Sequence, residues 1–351
     1  MPSKTASALI TASPAFRDAL IGWYRSHARA LPWRTAPSLY KTVVSEFMLQ
    51  QTQVKTVLPY FARWMAELPD FAALAAAPEA RVLRLWEGLG YYARARNLHR
   101  LAKALAALPE PPRTVDSWGE LPGVGPYTAA AIASIGFGAV AACVDGNVVR
   151  ILARLTADET EFRDSSTAAK AFTPLAARLI STSGAPGDHN QAMMELGATI
   201  CLRQNPLCLV CPVQSFCAGA RRGIAAALPR FSPKATVRQT VTRVWCERRG
   251  SLLLHRATAG ARRLASLHEL PTAEQAGFTD ATAMGGKLLA RKGRSITKYR
   301  ITESIHAVKP SRGKLRAGLA WVPRSALEGI TFSGPHRRWV REILEGGARC
   351  P

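Results

Sequence analysis

Acidic side chains are scarce in this chain. Its 351 residues carry 24 Asp and Glu against 47 Lys and Arg, a formal net charge of +23. The deficit is concentrated: residues 221–351 hold 26 Lys and Arg but only 8 Asp and Glu, whereas residues 1–220 hold 21 and 16. Such a surplus points to a polyanionic partner, most often nucleic acid, with the C-terminal part as a second binding arm; plain solubility by charge is the alternative. A secretory start is also missing, since Met1–Pro14 has no basic beginning and no long apolar core, and a cytoplasmic protein (nucleoid-associated in a bacterium) is expected. The one long uncharged run, Tyr127–Val144, contains Ser134, Gly136 and Gly138 and barely reaches spanning length. A buried helix is therefore expected there, with no membrane partner. Cysteines number only seven, four of them clustered, which fits a metal site in a reducing compartment and not a disulfide framework.

The length allows two domains, each with its own core. The stretch Leu121–Arg150 organises the first. It opens Leu121-Pro122-Gly123-Val124-Gly125-Pro126-Tyr127 and closes Asp145-Gly146-Asn147-Val148-Val149-Arg150. Two glycines around one apolar residue make a tight turn before a helix, and amides at a helix N-terminus suit a phosphate. Asp145 follows the apolar helix as a single carboxylate. A phosphate clamp and a carboxylate on one unit suggest chemistry on a nucleic-acid backbone or sugar. A glycine turn before a core helix, with Asp145 capping the next helix, is the plainer possibility.

Upstream, residues 14–30 read as an amphipathic helix broken by Leu31-Pro32-Trp33-Arg34. Trp33 and Arg34 offer a flat apolar plate and a forked donor for an aromatic base, or a core tryptophan with a solvated arginine. In Ser45–Val54, Glu46 stands among apolar residues, where desolvation raises a carboxyl pKa and suits a general acid. Leu49 and Gln51 could wedge into and hydrogen-bond within a nucleic-acid groove. Gly88–Asn97 joins a glycine turn to Tyr91, Tyr92, Arg94 and Arg96, which fits base stacking with phosphate contact, or a helix–helix turn with an aromatic core. Asn190–Ala198 places Glu195 on an otherwise apolar helix. Cys201, Cys208, Cys211 and Cys217 then form a C-x6-C-x2-C-x5-C array, an all-sulfur set suited to a 4Fe-4S cluster or a structural zinc. Residues 218–236 read as a linker. Beyond them Thr240–Cys246, Ser251–Arg256, the Ile296–Ile301 region and Gly318–Val322 read as strands, and 324–328 and 335–345 as helices, together a small α/β domain.

These segments, covering roughly residues 20–217, resemble the MutY-type adenine DNA glycosylases of the helix-hairpin-helix superfamily shared with endonuclease III. The resemblance implies a multidomain protein: an all-α helix-hairpin-helix glycosylase core with a 4Fe-4S cluster over 1–217, a linker over 218–236, and a Nudix-like α/β (α+β) lesion-recognition domain over 237–351. It also implies a monomer that binds double-stranded DNA at adenine opposite 8-oxoguanine (A:8-oxoG) or guanine (A:G), flips the adenine out and hydrolyses its N-glycosidic bond. Glu46 would be the general acid, and Asp145 would stabilise the oxocarbenium sugar or form a covalent intermediate, a two-carboxylate logic shared with glycoside hydrolysis. Tyr127 and Asn147 join them as catalytic candidates. Trp33, Arg34 and Glu195 would line the adenine pocket; Leu49, Gln51 and Tyr91 would fill the helix around the lesion; Gly123 and Gly125 would hold phosphate.

Cys201, Cys208, Cys211 and Cys217 would be the cluster ligands. Tyr127 stands where bifunctional endonuclease III-like enzymes need a Schiff-base lysine, so the alternative, a glycosylase/lyase acting on oxidised pyrimidines, is disfavoured. A non-enzymatic iron–sulfur DNA-binding protein is a third reading. In the C-terminal domain Leu264–Pro271 falls near the family's Trp-Glu-Phe-Pro-type segment, and no glutamate-rich Nudix box is present. The lesion-reading motif aligns with Ile296-Thr297-Lys298, Thr297 keeping its hydroxyl, or with Ser304-Ile305-His306.

Overall fold

The computed structural model describes residues 4–180, 185–233, 235–258, 261, 265–296, 298–310 and 314–346. They form two compact units that do not divide at one point in the chain. The first comprises Met1–Val57, Met65–Ala76 and Asn97–Pro233, the second Leu58–Trp64, Ala77–Arg96 and Lys234–Pro351.

The first unit is almost entirely helical. Ser13–His27 ends at Ala28, and Pro32 opens a further turn, Pro32–Thr35, because proline's fixed φ and missing N–H are tolerated at the first helical position. Leu39–Leu49 starts from Ser38, whose side chain accepts from the Lys41 amide, and buries every residue from Thr42 to Met48. Pro126–Phe137 is apolar on all sides and accordingly buried from Thr128 to Ser134. It stops at Gly138, and residues 138–145 then run without regular structure to Asp145. Gly146–Thr156 and Pro186–Thr199 complete the set that carries the site. Gly197 lets these two helices meet, since a Cβ there would lie 2.6 Å from the Asn147 Cβ. Phe16, Leu20, Leu152, Leu155, Leu196 and Val213 are among the residues of one buried cluster under these helices.

The stretch expected to be a linker, 218–236, is largely ordered. Ala218–Arg221 is a helical turn, Leu228 is buried, and Arg230–Phe231 pairs in parallel with Glu161–Phe162. Arg222 and Arg230 both reach Glu159, at 2.5 Å each, so local ion pairing and one buried leucine hold a composition that reads as loop.

The second unit is α+β. Val237–Trp245 pairs in parallel with Tyr299–Ala307, which pairs antiparallel with Lys287–Ile296. A second sheet joins Ser251–Arg256 to Glu247–Arg248, His268–Glu269 and Leu319–Pro323, all antiparallel. Residues 324–328 fall in a 3-10 helix, Arg324–Gly329, and the last helix is His336–Gly346. Trp245, Leu252, Leu254, Ile305, Phe332 and Trp339 belong to its core. Ala77–Arg96 belongs to this unit by packing: Glu87 pairs with Arg337, and the Tyr92 hydroxyl donates to the Phe332 carbonyl at 2.7 Å. Among the described residues no helix is long and apolar enough to cross a membrane.

Candidate active site

Glu46 lies on a helix buried from Thr42 to Met48 and is itself only 8% exposed. Burial, and next the charge of Asp145, push its pKa up to about 7, against the Tyr127 hydroxyl, which donates to it, and the Arg34 charge. Tyr127 lies on the first turn of Pro126–Phe137, and its phenol is held well above its ordinary pKa by burial and by Glu46 and Asp145. The Met194 sulfur lies 3.6 Å from the same Tyr127 hydroxyl.

Asp145 is the N-cap of Gly146–Thr156. Its Oδ1 accepts from the amides of Asn147 at 2.9 Å and Val148 at 2.8 Å, and its Oδ2 from Asn147 Nδ2 at 3.1 Å. Capping and catalytic candidacy thus fall on the same atoms. Burial raises the Asp145 pKa, and the donors with the Arg150 charge oppose the rise. Asn147 is itself held by Arg150, whose Nη2 donates to Asn147 Oδ1 at 2.9 Å and whose Nε donates to the Cys201 carbonyl at 2.8 Å.

Glu195 is fully buried with two arginines on it. Arg29 donates through Nε at 2.6 Å and Nη2 at 2.9 Å, and Arg34 through Nη1 at 2.7 Å. Burial alone would raise this carboxyl; the hydrogen bonds from Arg29 and Arg34 outweigh it and hold the pKa below its ordinary value. Trp33 is buried beside Arg34 on the Pro32–Thr35 turn, and the Arg34 guanidinium also lies over the Tyr24 ring, 5.5 Å from its centre. Two residues that sequence reasoning missed belong here. Arg29 is the second clamp on Glu195, and nothing in the composition around it marks it. Cys143, excluded from the cysteine array, is buried beside the site, its thiol raised first by burial and then by Glu46.

Gly123 has φ +76°, and a side chain there would collide with Asn97. Gly125 caps Pro126–Phe137 in extended conformation with no side-chain cap, leaving the first-turn amides to other acceptors. Leu49 is half-buried and Gln51 exposed, Gln51 at φ +56°. In the second unit Tyr91 is likewise left-handed at φ +48° and is 55% exposed. Arg94 stacks on both Tyr91 and Trp86, 5.4 Å from each ring centre. Two non-glycine residues held in this sparsely populated conformation are strained positions of the kind that cluster at functional sites. Thr297 lies outside the described residues. The competing Ser304-Ile305-His306 is buried within the Tyr299–Ala307 strand.

Cys201, Cys208, Cys211 and Cys217 line one cavity together with Ile151, Leu155, Leu196 and Val213. All four are free thiols. Arg154 donates to the Cys201 sulfur and the Ala220 amide to the Cys217 sulfur, at 3.3 and 3.4 Å, donors that suit sulfurs carrying negative charge. Among the described residues, no three His, Cys, Asp or Glu side chains converge as a single metal ion needs.

Residues 44–176 match the HhH-GPD superfamily base excision DNA repair protein family. The chain is 45% identical to the adenine DNA glycosylase of Mus musculus over 229 residues, 61% of this chain and 44% of that protein. Against the Homo sapiens enzyme the figures are 44% over 219 residues, 59% and 40%. The chain thus spans less than half the length of these mammalian relatives. Against the adenine DNA glycosylase of Mycolicibacterium smegmatis identity is 40% over 210 residues, 59% of this chain and 70% of that protein. Among solved structures, a thermostable thymine-DNA glycosylase aligns with TM-score 0.53 and 25% identity, over 60% of this chain and 98% of that one. With the family model spanning Glu46 and Asp145, and 70% of the Mycolicibacterium smegmatis protein covered at 40% identity, the chain belongs to the adenine DNA glycosylase family, within the helix-hairpin-helix base excision repair superfamily.

Proposed function

We propose that this protein removes adenine mispaired with 8-oxoguanine or guanine in duplex DNA, by hydrolysis of the N-glycosidic bond. The observation that carries the reading is the unequal pair of carboxylates. Glu46 has its pKa raised to about 7, which keeps a transferable proton near neutrality. Asp145 is supplied with three hydrogen-bond donors, which favour its charged form against the effect of burial. Glu46 donates its proton to N7 of a flipped adenine, and the electrons of the C1′–N9 bond leave with the base. Asp145 stabilises the oxocarbenium sugar as an ion pair or as a transient ester. Water then adds at C1′, with the Glu46 carboxylate accepting its proton. Tyr127 orients Glu46, Asn147 orients Asp145, and Arg34, Trp33 and the clamped Glu195 form the base pocket.

Gly123 and Gly125 present hairpin amides to a phosphate, Leu49 and Gln51 fill the helix around the lesion pair, and Tyr91 of the second unit is a separate candidate wedge. The C-terminal unit, Nudix-like by sequence, reads the base opposite, through Thr297-Lys298 or through Ser304-Ile305-His306. The protein acts as a cytoplasmic monomer. The four cysteines, which line one cavity, would hold a 4Fe-4S cluster, an all-thiolate ligand set being what such clusters take. Bound there, the cluster supplies a cross-link that fixes the 201–217 loop. Cys208→Ser should lose iron and visible absorbance, and iron content equal to wild type would refute the assignment.

The deciding experiment is single-turnover cleavage of a duplex with adenine opposite 8-oxoguanine, read with and without alkali. Free adenine with breaks only after alkali is expected. Breaks without alkali would restore the glycosylase/lyase reading, which Tyr127 in place of a lysine argues against.

A further inference from the structure

Asn190 is buried, 2% exposed, on Pro186–Thr199. Its amide makes three hydrogen bonds. Nδ2 donates to the Ala141 carbonyl and to the Ser134 hydroxyl, both at 2.8 Å, and Oδ1 accepts from the Cys143 amide at 3.0 Å. The pair to residues 141 and 143 copies what a neighbouring β-strand would offer: one donor and one acceptor from a single planar amide, to the C=O and N–H of residues two apart. Those groups lie in the irregular 138–145 stretch, where no helix or sheet supplies partners, and buried backbone groups must find them. At its start the stretch is closed by the Gly138 and Ala139 amides, which donate to Ser134 and Ala133 carbonyls at 3.1 Å each. At its end stands Asp145.

We infer that Asn190 is the positioning residue for the catalytic carboxylate, setting where Asp145 stands relative to Glu46 by fixing the backbone two residues before it. The inference rests on the proposed glycosylase reading. Only asparagine fits all three bonds. Aspartate would face the Ala141 carbonyl with another acceptor, alanine would orphan the Cys143 amide and the Ala141 carbonyl, and glutamine is one methylene too long. The Glu46 acid is faced by Asp145, Tyr127, Arg34 and the Cys143 thiol. Of these, Asp145 and Cys143 are carried by the stretch Asn190 holds, while Tyr127 and Arg34 are not.

The test is Asn190→Ala in the full-length protein, alongside wild type and the milder Ser134→Ala, which removes one of the three bonds. Three quantities are measured: single-turnover adenine release across pH, affinity for the substrate duplex, and hydrogen exchange of the Cys143 amide. Release should fall about a hundredfold, the scale of a misplacement near 1 Å, with affinity within about threefold. The alkaline limb of the rate profile should move to lower pH as the Asp145 charge recedes from Glu46. Exchange at Cys143 should quicken. Ser134→Ala should shift all of these in the same direction by less, and it decides the matter if Asn190→Ala does not fold. Faster exchange with an unchanged rate and profile would overturn the inference, as would equal losses of rate and affinity with the limb unmoved. If wild type itself released no adenine, the glycosylase reading would fail; unchanged exchange at Cys143 in the variants would then overturn the positioning claim separately.

Discussion

In the helical unit Glu46 is buried beside a second carboxylate. In the C-terminal unit Glu303, fully buried, lies between Arg243, whose Nε donates at 2.7 Å, and Arg294. Arg243 reaches Glu269 as well, at 3.5 Å, and donates to the Leu270 carbonyl at 2.5 Å. His336 completes that network in neutral form: its Nδ1 accepts from the Leu270 amide at 3.2 Å, and burial, with Arg243 and Arg294 nearby, holds its pKa well below normal. Both carboxylates are desolvated, but Glu303 is ion-paired to two arginines, whereas Glu46 feels the Arg34 charge only as the smallest of its four influences. Burial with a cation makes a structural ion pair; burial beside an anion makes an acid with a proton to give near neutral pH. Glu195, clamped by Arg29 and Arg34, follows the first pattern inside the same unit as Glu46.

The contrast can be broken most forcefully at Glu46. Glu46→Gln keeps the shape and removes the proton donor; adenine release should fall about 10³-fold with duplex binding retained, and near-wild-type turnover in a single-turnover assay would end its role as acid. Asp145→Asn separates cap from charge. Asparagine caps a helix about as well as aspartate, so the thermal midpoint should hold while release drops about a hundredfold; a matching loss of stability would mean that Asp145 is only a cap. Glu303→Gln should act the other way, costing about 3 kcal/mol in denaturant unfolding by stranding Arg243 and Arg294, with the pH profile of excision unmoved.

The smallest and sharpest effect is in the sign of pH linkage. Glu46, raised from 4.5 to about 7, binds more protons folded than unfolded across that window, so its contribution to stability declines as pH rises through it. Glu195 is lowered; its contribution is present above the unfolded value and lost as pH falls through the folded one. Relative to wild type, Glu46→Gln should therefore gain more in melting temperature at about pH 8 than at about pH 5. Glu195→Gln should lose more at neutral than at acid pH. Calorimetry showing the same sign for both would erase the distinction between the two carboxylates.

Much of the site was legible because its parts are local. The Gly123-Val124-Gly125 turn, the Asp145-Gly146-Asn147 start of a helix and the cysteine spacing each need only a few consecutive residues to state their geometry. Glu46 announced itself by standing in an apolar run. Arg29 was not legible, because its meaning is a partner 166 residues away. Asn190 was hidden in the same way, its bonds spanning 47 to 56 residues. The local order of 218–236 was hidden because Pro, Gly and Arg read as loop until Glu159 is placed beside Arg222 and Arg230.

By itself the sequence determined the helical character of the core, the cysteine array and the two carboxylates that are candidates for the chemistry, since these depend on composition, periodicity and short spacings, while the family followed from the resemblance of its motifs. The tertiary structure alone decided which carboxylates have arginines against them, that Ala77–Arg96 packs with the C-terminal unit, and that a side-chain amide braces the loop before Asp145. Those depend on which groups remain in contact once water is gone, and desolvation acts on neighbours in space regardless of their order in the chain.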